Sequence, residues 1–354
     1  MTETFVLQEN VPLSGFSTIG LGGAARYLAH CRSSEELVEA FVFARTRGLS
    51  MQILGGGSNS LFSDRGFNGV VAKVALKGVS YRDDGEHCIV AAAAGEIWDD
   101  VVRECVRRGL AGLECLAGIP GTAGATPIQN VGAYGQEVAD TIVAVNALDR
   151  ESFAPMTFSR EECEFGYRRS RFKAKDRDRF IVTGVTFRLL RSGPPTIHYP
   201  ELRKYVESTV DLNALGPGRP ALQAVTDAVI ALRRKKSMVI DPSDPQSKSL
   251  GSFFTNPVLT KEAFTKLRQQ YSDVPSFPAE GGMKVPAGWL VEQAGFRRGY
   301  RVGGAAVSAN HALALVNLGT TTAELLTLAR RIQDGVRQRF GVSLEMEPVV
   351  VPEA

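Results

Sequence analysis

Hydrophobic positions recur at helical steps in four stretches of the chain. Over 33–47 they are Leu37, Ala40, Phe41 and Ala44, introduced by a capping box of Ser33 and Glu36 and stopped by Gly48. Over 96–108 they are Ile97, Val101, Cys105 and Val106, with Gly109 following. A third helix is predicted near 222–236. A fourth spans 321–340, where Leu325, Leu328, Ile332 and Val336 keep register behind a second capping box, Thr321 and Glu324. Short apolar runs at 51–54, 69–76, 141–149, 180–190 and 312–316 predict strands, and 343–351 predicts a closing one. Residues 113–135 are too dense in Gly, Ala, Thr and Pro for any long helix or strand. Ser192-Gly193-Pro194-Pro195 is a breaker, beyond which the texture changes. The chain therefore reads as two α+β regions joined near 193–225, with the terminal strand free to return to the first.

Composition narrows this picture. A length of 354 residues exceeds one ordinary core, and 44% hydrophobic with 22% charged residues describes a globular α/β-like chain, not a disordered one. A net charge of +3 without a concentrated basic stripe argues against nucleic acid as partner. The five cysteines (Cys31, Cys88, Cys105, Cys115, Cys163) are odd in number, widely spaced and free of any C-x-x-C pair. Neither a disulfide framework nor a metal site is expected, and a reducing, cytoplasmic setting fits. Residues 1–10 carry no basic segment followed by an apolar one, and no 18-residue apolar run occurs, so no membrane association is expected.

Three glycine-rich segments bear on chemistry. Gly20-Leu21-Gly22-Gly23-Ala24-Ala25 fits the dinucleotide spacing G-x-G-x-x-A, but neither a good strand before it nor a helix start after it is present, so it reads as a turn. Gly55-Gly56-Gly57-Ser58-Asn59-Ser60 leaves an apolar strand and enters another extended stretch. Glycines there can expose consecutive backbone N–H groups to a diphosphate without a helix dipole. The third segment, 118–135, would let backbone approach a planar ring. Either of the last two alone reads as tight turns; together they point to a large phosphate-bearing cofactor.

Other groups have ordinary readings too. Seven basic residues lie between 168 and 179, most fitting a solvated face, yet Arg168 follows Phe165-Gly166-Tyr167, a setting where a guanidinium can grip a carboxylate in two places. Lys236 ends a helix, where cations are favoured anyway. Ser252 has no nucleophile signature, and the four histidines form no pattern. Glu345 and Glu347, two residues apart on the predicted last strand, share one face.

The ordered set of these segments resembles the UDP-N-acetylenolpyruvoylglucosamine reductases. The blocks are 54–61, 119–135, Phe165-Gly166-Tyr167-Arg168, Gly251-Ser252-Phe253-Phe254-Thr255-Asn256-Pro257, 288–293, Gly303-Gly304-Ala305-Ala306-Val307 and Leu344-Glu345-Met346-Glu347. The resemblance implies an α+β fold, with a two-part FAD-binding domain of the vanillyl-alcohol-oxidase type and a smaller α+β substrate domain. The expected division is 1–75 with 341–354, 76–221, and 222–340. FAD would be non-covalent, in keeping with glycine loops that lack histidine. Its contacts would be Gly55, Gly56, Gly57, Ser58, Asn59 and Ser60, then Pro120, Gly121, Thr122, Gly124, Ala125, Gln129, Asn130, Gly132, Ala133, Tyr134 and Gly135.

By the same resemblance the activity is NADPH-dependent reduction of UDP-N-acetylglucosamine enolpyruvate to UDP-N-acetylmuramate, for peptidoglycan synthesis, in a cytoplasmic monomer. The catalytic trio falls on Arg168, Ser252 and Glu347: Arg168 and Glu347 stabilise the enolate, and Ser252 delivers a proton to C2. Tyr199 matches the tyrosine that covers substrate in the longer subtype, while Lys236, Asn256, Lys284 and Gln293 match nucleotide or sugar contacts. Two departures stand out: Ser17-Thr18 where Asn-Thr is common, and Leu250 in place of a small residue. A flavin-linked oxidase of the same fold, or a nucleotide-sugar binding protein without turnover, is the alternative reading.

Overall fold

A computed structural model describes residues 6–353; residues 1–5 and 354, at the two ends of the expected first region, lie outside the described residues. The first helical pattern becomes Ser34–Thr46, its N-terminus capped by the Ser33 hydroxyl, which accepts from the Glu36 N–H at 3.2 Å. The expected box is not reciprocal, because the Glu36 carboxylate reaches one residue further back, to the N–H of Arg32. This helix lays Leu37, Ala40 and Ala44 on a four-stranded sheet ordered Leu7–Pro12, Ala24–Cys31, Phe67–Val74, Met51–Leu54. The last three strands run parallel, and the first is antiparallel to its neighbour. The sequence did not predict the first two strands. Segment 20–25 starts no helix, as expected, but the turn lies just before it, closed by the Gly20 N–H on the Ser17 carbonyl, and 20–23 runs irregularly into the strand at Ala24.

A second, antiparallel sheet joins Pro155–Ser159, Ile142–Asp149, Phe180–Arg191, His87–Ala93 and Val79–Asp84 in that order, with Leu110–Ala111 beside Phe180–Arg191. Helix Trp98–Arg107 covers it, burying Trp98, Val101, Val102, Cys105 and Val106. The helix predicted at 222–236 is Arg219–Lys235. Val225, Ala228, Val229 and Leu232 on it pack with Cys115, Leu202 and Val206. It therefore sits on the second region, not with the C-terminal one as the expected boundary at 222 required; its apolar face is complementary to 115 and 202–206.

The C-terminal region holds a sheet ordered Ser249–Ser252, Ala314–Asn317, Ala305–Val307, Arg301–Val302. Thr322–Phe340 packs Leu325, Leu328, Ile332 and Val336 on it, and here the Thr321–Glu324 capping box is complete. The Asp64 carboxylate adds to that cap, accepting from Thr322 N–H at 2.8 Å and Ala323 N–H at 2.9 Å. The closing strand is shorter than the pattern predicts. Only Val349–Val351 is regular, parallel to Ser60–Phe62, while 343–348 runs irregularly with one bridge, Phe254 to Met346. Glu345 and Glu347 flank that bridge, bonded through the Glu345 carbonyl to the Thr255 N–H and through the Glu347 N–H to the Phe253 carbonyl, and both act on Lys173; they differ in burial, Glu345 being exposed and Glu347 mostly buried.

Candidate active site

The two glycine loops meet backbone to backbone. A Cβ at Gly56 would lie 2.5 Å from the Gly121 Cα, and one at Gly121 would lie 2.9 Å from the Ser58 hydroxyl oxygen. Gly57 adopts φ +69°, and a Cβ there would strike the Phe16 carbonyl. Only glycine permits this approach. The N–H groups of Gly56, Gly57, Ser58 and Asn59 donate to nothing among the described residues. Four successive unmet donors can serve an anion. Gly124 packs equally closely on Ala94, where a Cβ would approach to 2.3 Å.

Arg233 is a group the sequence reading passed over. Its side chain is buried beside Gly118 with its Nε unmet and no carboxylate within 4.0 Å among the described residues; only its Nη2 donates, to the Met238 carbonyl at 2.7 Å. Burial holds its ionisation below the ordinary arginine range. A buried cation is costly, and Asp99, whose carboxylate accepts from the Gly118 N–H at 2.6 Å, offsets part of that cost without pairing directly. The unmet N–H row and the close glycine packing together fit a large anionic cofactor lying across both loops.

Beside the loops three distant stretches converge. Arg168 is the third residue of a tight turn closed by the Arg169 N–H on the Gly166 carbonyl at 3.1 Å, and it takes φ +52° where glycine is usual. That conformation costs on the order of 1 kcal/mol and is held by contacts on both sides. Nη1 donates to the Asn130 carbonyl at 3.3 Å and Nη2 to the Gly132 carbonyl at 3.0 Å. Nε lies 3.3 Å from Oε1 of Glu347, an ion-pair distance, though the N–H is not aligned for a hydrogen bond. Two of its five N–H donors remain for a ligand once these three directions are taken.

Glu347 reaches this point because its backbone is pinned. Its N–H donates to the Phe253 carbonyl at 2.9 Å, and its carbonyl accepts from Asn59 Nδ2 at 3.2 Å. The first of these bonds sets Glu347 against the residue that follows Ser252. Burial raises the carboxyl above the ordinary glutamate range, against the opposing influence of Arg168, Lys173 and a 3.0 Å hydrogen bond from Gln129. Ser252 ends its strand after Gly251 (φ +73°), half-buried, its hydroxyl without a partner among the described residues.

Of the expected substrate contacts, Asn256 and Lys284 join this cluster through Tyr167. The Tyr167 hydroxyl accepts from the Asn256 N–H at 3.4 Å, and the Lys284 ammonium lies 4.6 Å from the ring centre. Tyr199 stands edge-on to Tyr134 at 5.6 Å; Lys236 lies 5.8 Å from the Tyr134 ring and pairs with Glu201 at 2.6 Å. His311, unsuspected from sequence, is half-buried near Lys236, and its pKa is driven down to about 4 by desolvation first and by Lys236 and Arg233 next. Gln293 is not brought to either cluster. It is exposed at the far end of Ala287–Gln293, where it borders a surface pocket with Arg297, Arg298 and Arg339. Gln129 and Asn130, expected at the cofactor, are engaged with protein groups, Gln129 with Glu347 and buried Asn130 with Glu137 at 2.6 Å.

The two departures are absorbed locally. The Ser17 hydroxyl donates to the Ser60 carbonyl at 3.0 Å, and Leu250 is buried in the C-terminal core. Among the described residues no cluster of metal-ligating side chains occurs, and no helix is long and apolar enough to cross a membrane.

Comparison with known proteins agrees in its parts. Residues 25–152 match the family described as FAD binding domain, and residues 242–351 match the C-terminal domain of UDP-N-acetylenolpyruvoylglucosamine reductase. The chain is 42% identical over 362 residues to the UDP-N-acetylenolpyruvoylglucosamine reductase of Thermobifida fusca, covering 99% of both chains. To the enzyme of that name from Streptomyces coelicolor it is 44% identical over 351 residues, covering 97% of this chain and 89% of the other. A crystal structure of UDP-N-acetylenolpyruvylglucosamine reductase from Thermus caldophilus superposes with TM-score 0.68 at 27% identity, covering 99% of this chain and 100% of that one. A solvent-stable cholesterol oxidase superposes with TM-score 0.51 at 13% identity, covering 97% and 87%, a likeness of fold alone.

Proposed function

The chain belongs to the UDP-N-acetylenolpyruvoylglucosamine reductase family, and from that premise we propose that Arg168, Glu347 and Ser252 are the groups that act on the enolpyruvyl substrate. The protein is an FAD-dependent oxidoreductase that reduces UDP-N-acetylglucosamine enolpyruvate to UDP-N-acetylmuramate with NADPH, a step of peptidoglycan precursor synthesis. The observation that carries the residue assignment is the convergence of 168, 252–253 and 347, with Arg168 Nε 3.3 Å from Glu347 and the Glu347 N–H on the Phe253 carbonyl.

FAD, when bound, supplies the hydride that reaches the enolpyruvyl C3. The chain's own groups must then make an enol ether accept it. An enol ether is a poor acceptor unless its conjugated carboxylate is polarised, and donors fixed in advance at a poorly solvated site are usually the largest catalytic contribution. Arg168 is such a donor, because both Nη atoms are already tethered and cost no reordering when charge develops. Glu347 assists only while neutral, and burial favours that form. A serine hydroxyl is a weak acid, but the centre left at C2 is strongly basic, and the Ser252 hydroxyl has no competing partner among the described residues.

The loops Gly55 to Ser60 and Pro120 to Gly135 are assigned to FAD, held without a covalent bond. Tyr199, Lys236, Asn256 and Lys284 are assigned to the nucleotide sugar, with His311 added beside Lys236. The expected division into 1–75 with 341–354, 76–221 and 222–340 is kept with one change, helix Arg219–Lys235 moving to the second part. A cytoplasmic monomer accords with this chemistry. The test is anaerobic: NADPH should bleach the yellow protein, and the enolpyruvyl nucleotide sugar should restore the colour. Ser252→Ala should bleach normally and recover colour slowly; full-speed recovery would remove Ser252 from the proton-donor role.

A further inference from the structure

We propose that Lys173, acting through Gln129, decides which oxygen of Glu347 carries the proton and so aims that proton at the substrate. The proposal rests on the reading of Glu347 given above. Gln129 Nε2 donates to Glu347 Oε1 at 3.0 Å, and Gln129 Oε1 accepts from Lys173 Nζ at 3.2 Å. A side-chain amide can sit either way round in the same space. An ammonium, however, only donates, so it can face only the amide carbonyl. Lys173 therefore fixes the amide, and the amide NH2 must point at Glu347.

The consequence falls on one oxygen. Glu347 Oε1 accepts from Gln129 Nε2 and lies 3.3 Å from the positively charged Arg168 Nε, whose N–H is not aligned on it. An oxygen so placed is an acceptor, which leaves the proton of the neutral acid to Oε2. Oε2 has no hydrogen bond among the described residues and is not among the sealed, unmet polar atoms. It keeps some exposed surface and is free to donate to a substrate carboxylate. If the amide turned over, its carbonyl would face Oε1, the proton would move there, and Oε2 could no longer donate.

The charged and titratable groups facing Glu347 are Arg168 and Tyr167 from the turn and Lys173 from the segment after it; Lys173 in turn also faces Glu345 and Arg177. Lys173 is half-buried, and that burial chiefly lowers its pKa from the ordinary lysine value. Its positive charge favours ionised Glu347, so losing it extends the neutral form to higher pH. Lys173 is thus a positioning residue, touching neither substrate nor cofactor.

The experiment compares Lys173→Met, Lys173→Arg and Gln129→Met holoenzymes by stopped flow across pH. NADPH-driven bleaching of Lys173→Met should match wild type. Its reoxidation by the enolpyruvyl nucleotide sugar should slow about tenfold, the size of a fixed hydrogen bond's loss (about 1.4 kcal/mol), and the alkaline limb of that step should move to higher pH. Lys173→Arg should restore both, and Gln129→Met should show the slowed reoxidation even if Lys173→Met folds poorly. The protonated carboxyl band of Glu347 in the infrared, assigned by difference from Glu347→Gln, should persist to higher pH in Lys173→Met. Wild-type reoxidation with an unmoved limb in Lys173→Met overturns the proposal. Glu347→Ala separates the two levels. If it reoxidises normally, the role of Glu347 itself falls; if it is impaired while Lys173→Met is normal, only the relay falls.

Discussion

Gly56→Ala tests whether the meeting of the two glycine loops is what holds FAD. The added methyl would sit 2.5 Å from the Gly121 Cα and 2.9 Å from the Gly121 carbonyl carbon. Ordinary carbon–carbon contact needs about 3.5–4.0 Å, so one loop must retreat by roughly 1 Å. Both partners are backbone, and neither can swing aside as a side chain would. Overpacking of this kind costs about 1–3 kcal/mol. Gly56 has no positive φ, so the cost is steric and not conformational. The retreat also displaces the unmet N–H groups from Gly56 to Asn59, and the loss of FAD should exceed the loss of stability. Gly48→Ala is the control. Its φ is +62° with nothing within 4 Å of the new methyl, so it should cost about 1 kcal/mol of backbone strain and leave the loops alone. The assay is flavin absorbance retained after gel filtration, with a thermal melt on the same samples. Gly56→Ala should emerge largely colourless and melt about 2–5 °C lower; Gly48→Ala should melt slightly lower and stay yellow. A Gly56→Ala protein that keeps wild-type colour would refute the reasoning, since the contact would then not shape the site.

Glu347→Gln should change how stability depends on pH. Burial raises the folded-state pKa of Glu347 above its unfolded value, so its neutral form costs nothing below the ordinary glutamate range. Above about pH 4 the unfolded chain ionises first, and wild type should lose stability relative to Glu347→Gln until pH passes the raised folded value. Melts from pH 4 to 8 should show that widening gap; a constant difference would mean Glu347 titrates normally. Arg168→Lys keeps the charge but cannot hold the Asn130 and Gly132 carbonyls and face Glu347 at once. Single-turnover reoxidation should fall by about 10²-fold with NADPH bleaching intact, as expected when a tethered transition-state donor is lost; a fall under threefold would show that charge alone suffices.

Much of the site could be read in the chain because its chemistry is local. The glycine runs at 55–60 and 118–135, the aromatic and glycine setting of Arg168 and the caps at Ser33 and Thr321 each declare themselves within a few residues. Other features are set by distant partners and leave no such mark. The bonds of Gln129 to Glu347 and Lys173 span 218 and 44 residues. Arg233 looks like one cation among several at a helix end until its burial is seen. His311 has no neighbouring motif. Strands Leu7–Pro12 and Ala24–Cys31 escaped prediction because Pro12 and the glycines at 20–23 interrupt their apolar rhythm, and hairpin 79–93 because one of its strands, Val79–Asp84, is half exposed. The uniform reading of 343–351 failed for a similar reason. Alternation alone cannot show that pairing is limited to one bridge, at Met346, until Val349, where the strand meets Ser60.

That late pairing couples the parts of the site. Val349 donates its N–H to the Asn59 carbonyl at 2.8 Å, and the Asn59 side chain returns a hydrogen bond to the Glu347 carbonyl. On the other side of the loop the Thr18 N–H holds the Gly57 carbonyl at 3.2 Å, while the Thr18 hydroxyl donates to the Ser249 carbonyl at 2.6 Å, three residues before Ser252. The loop assigned to the diphosphate is therefore braced by the segment carrying the carboxyl and by a contact to the strand carrying the hydroxyl. On the assignment proposed above, a ligand that orders this loop lowers the cost of ordering the segments of Glu347 and Ser252, and by linkage a weakened closing strand should cost FAD affinity as well as turnover. Cofactor retention and substrate chemistry would then be one cooperative property of the fold, although the residues assigned to them are nearly 300 positions apart in the chain.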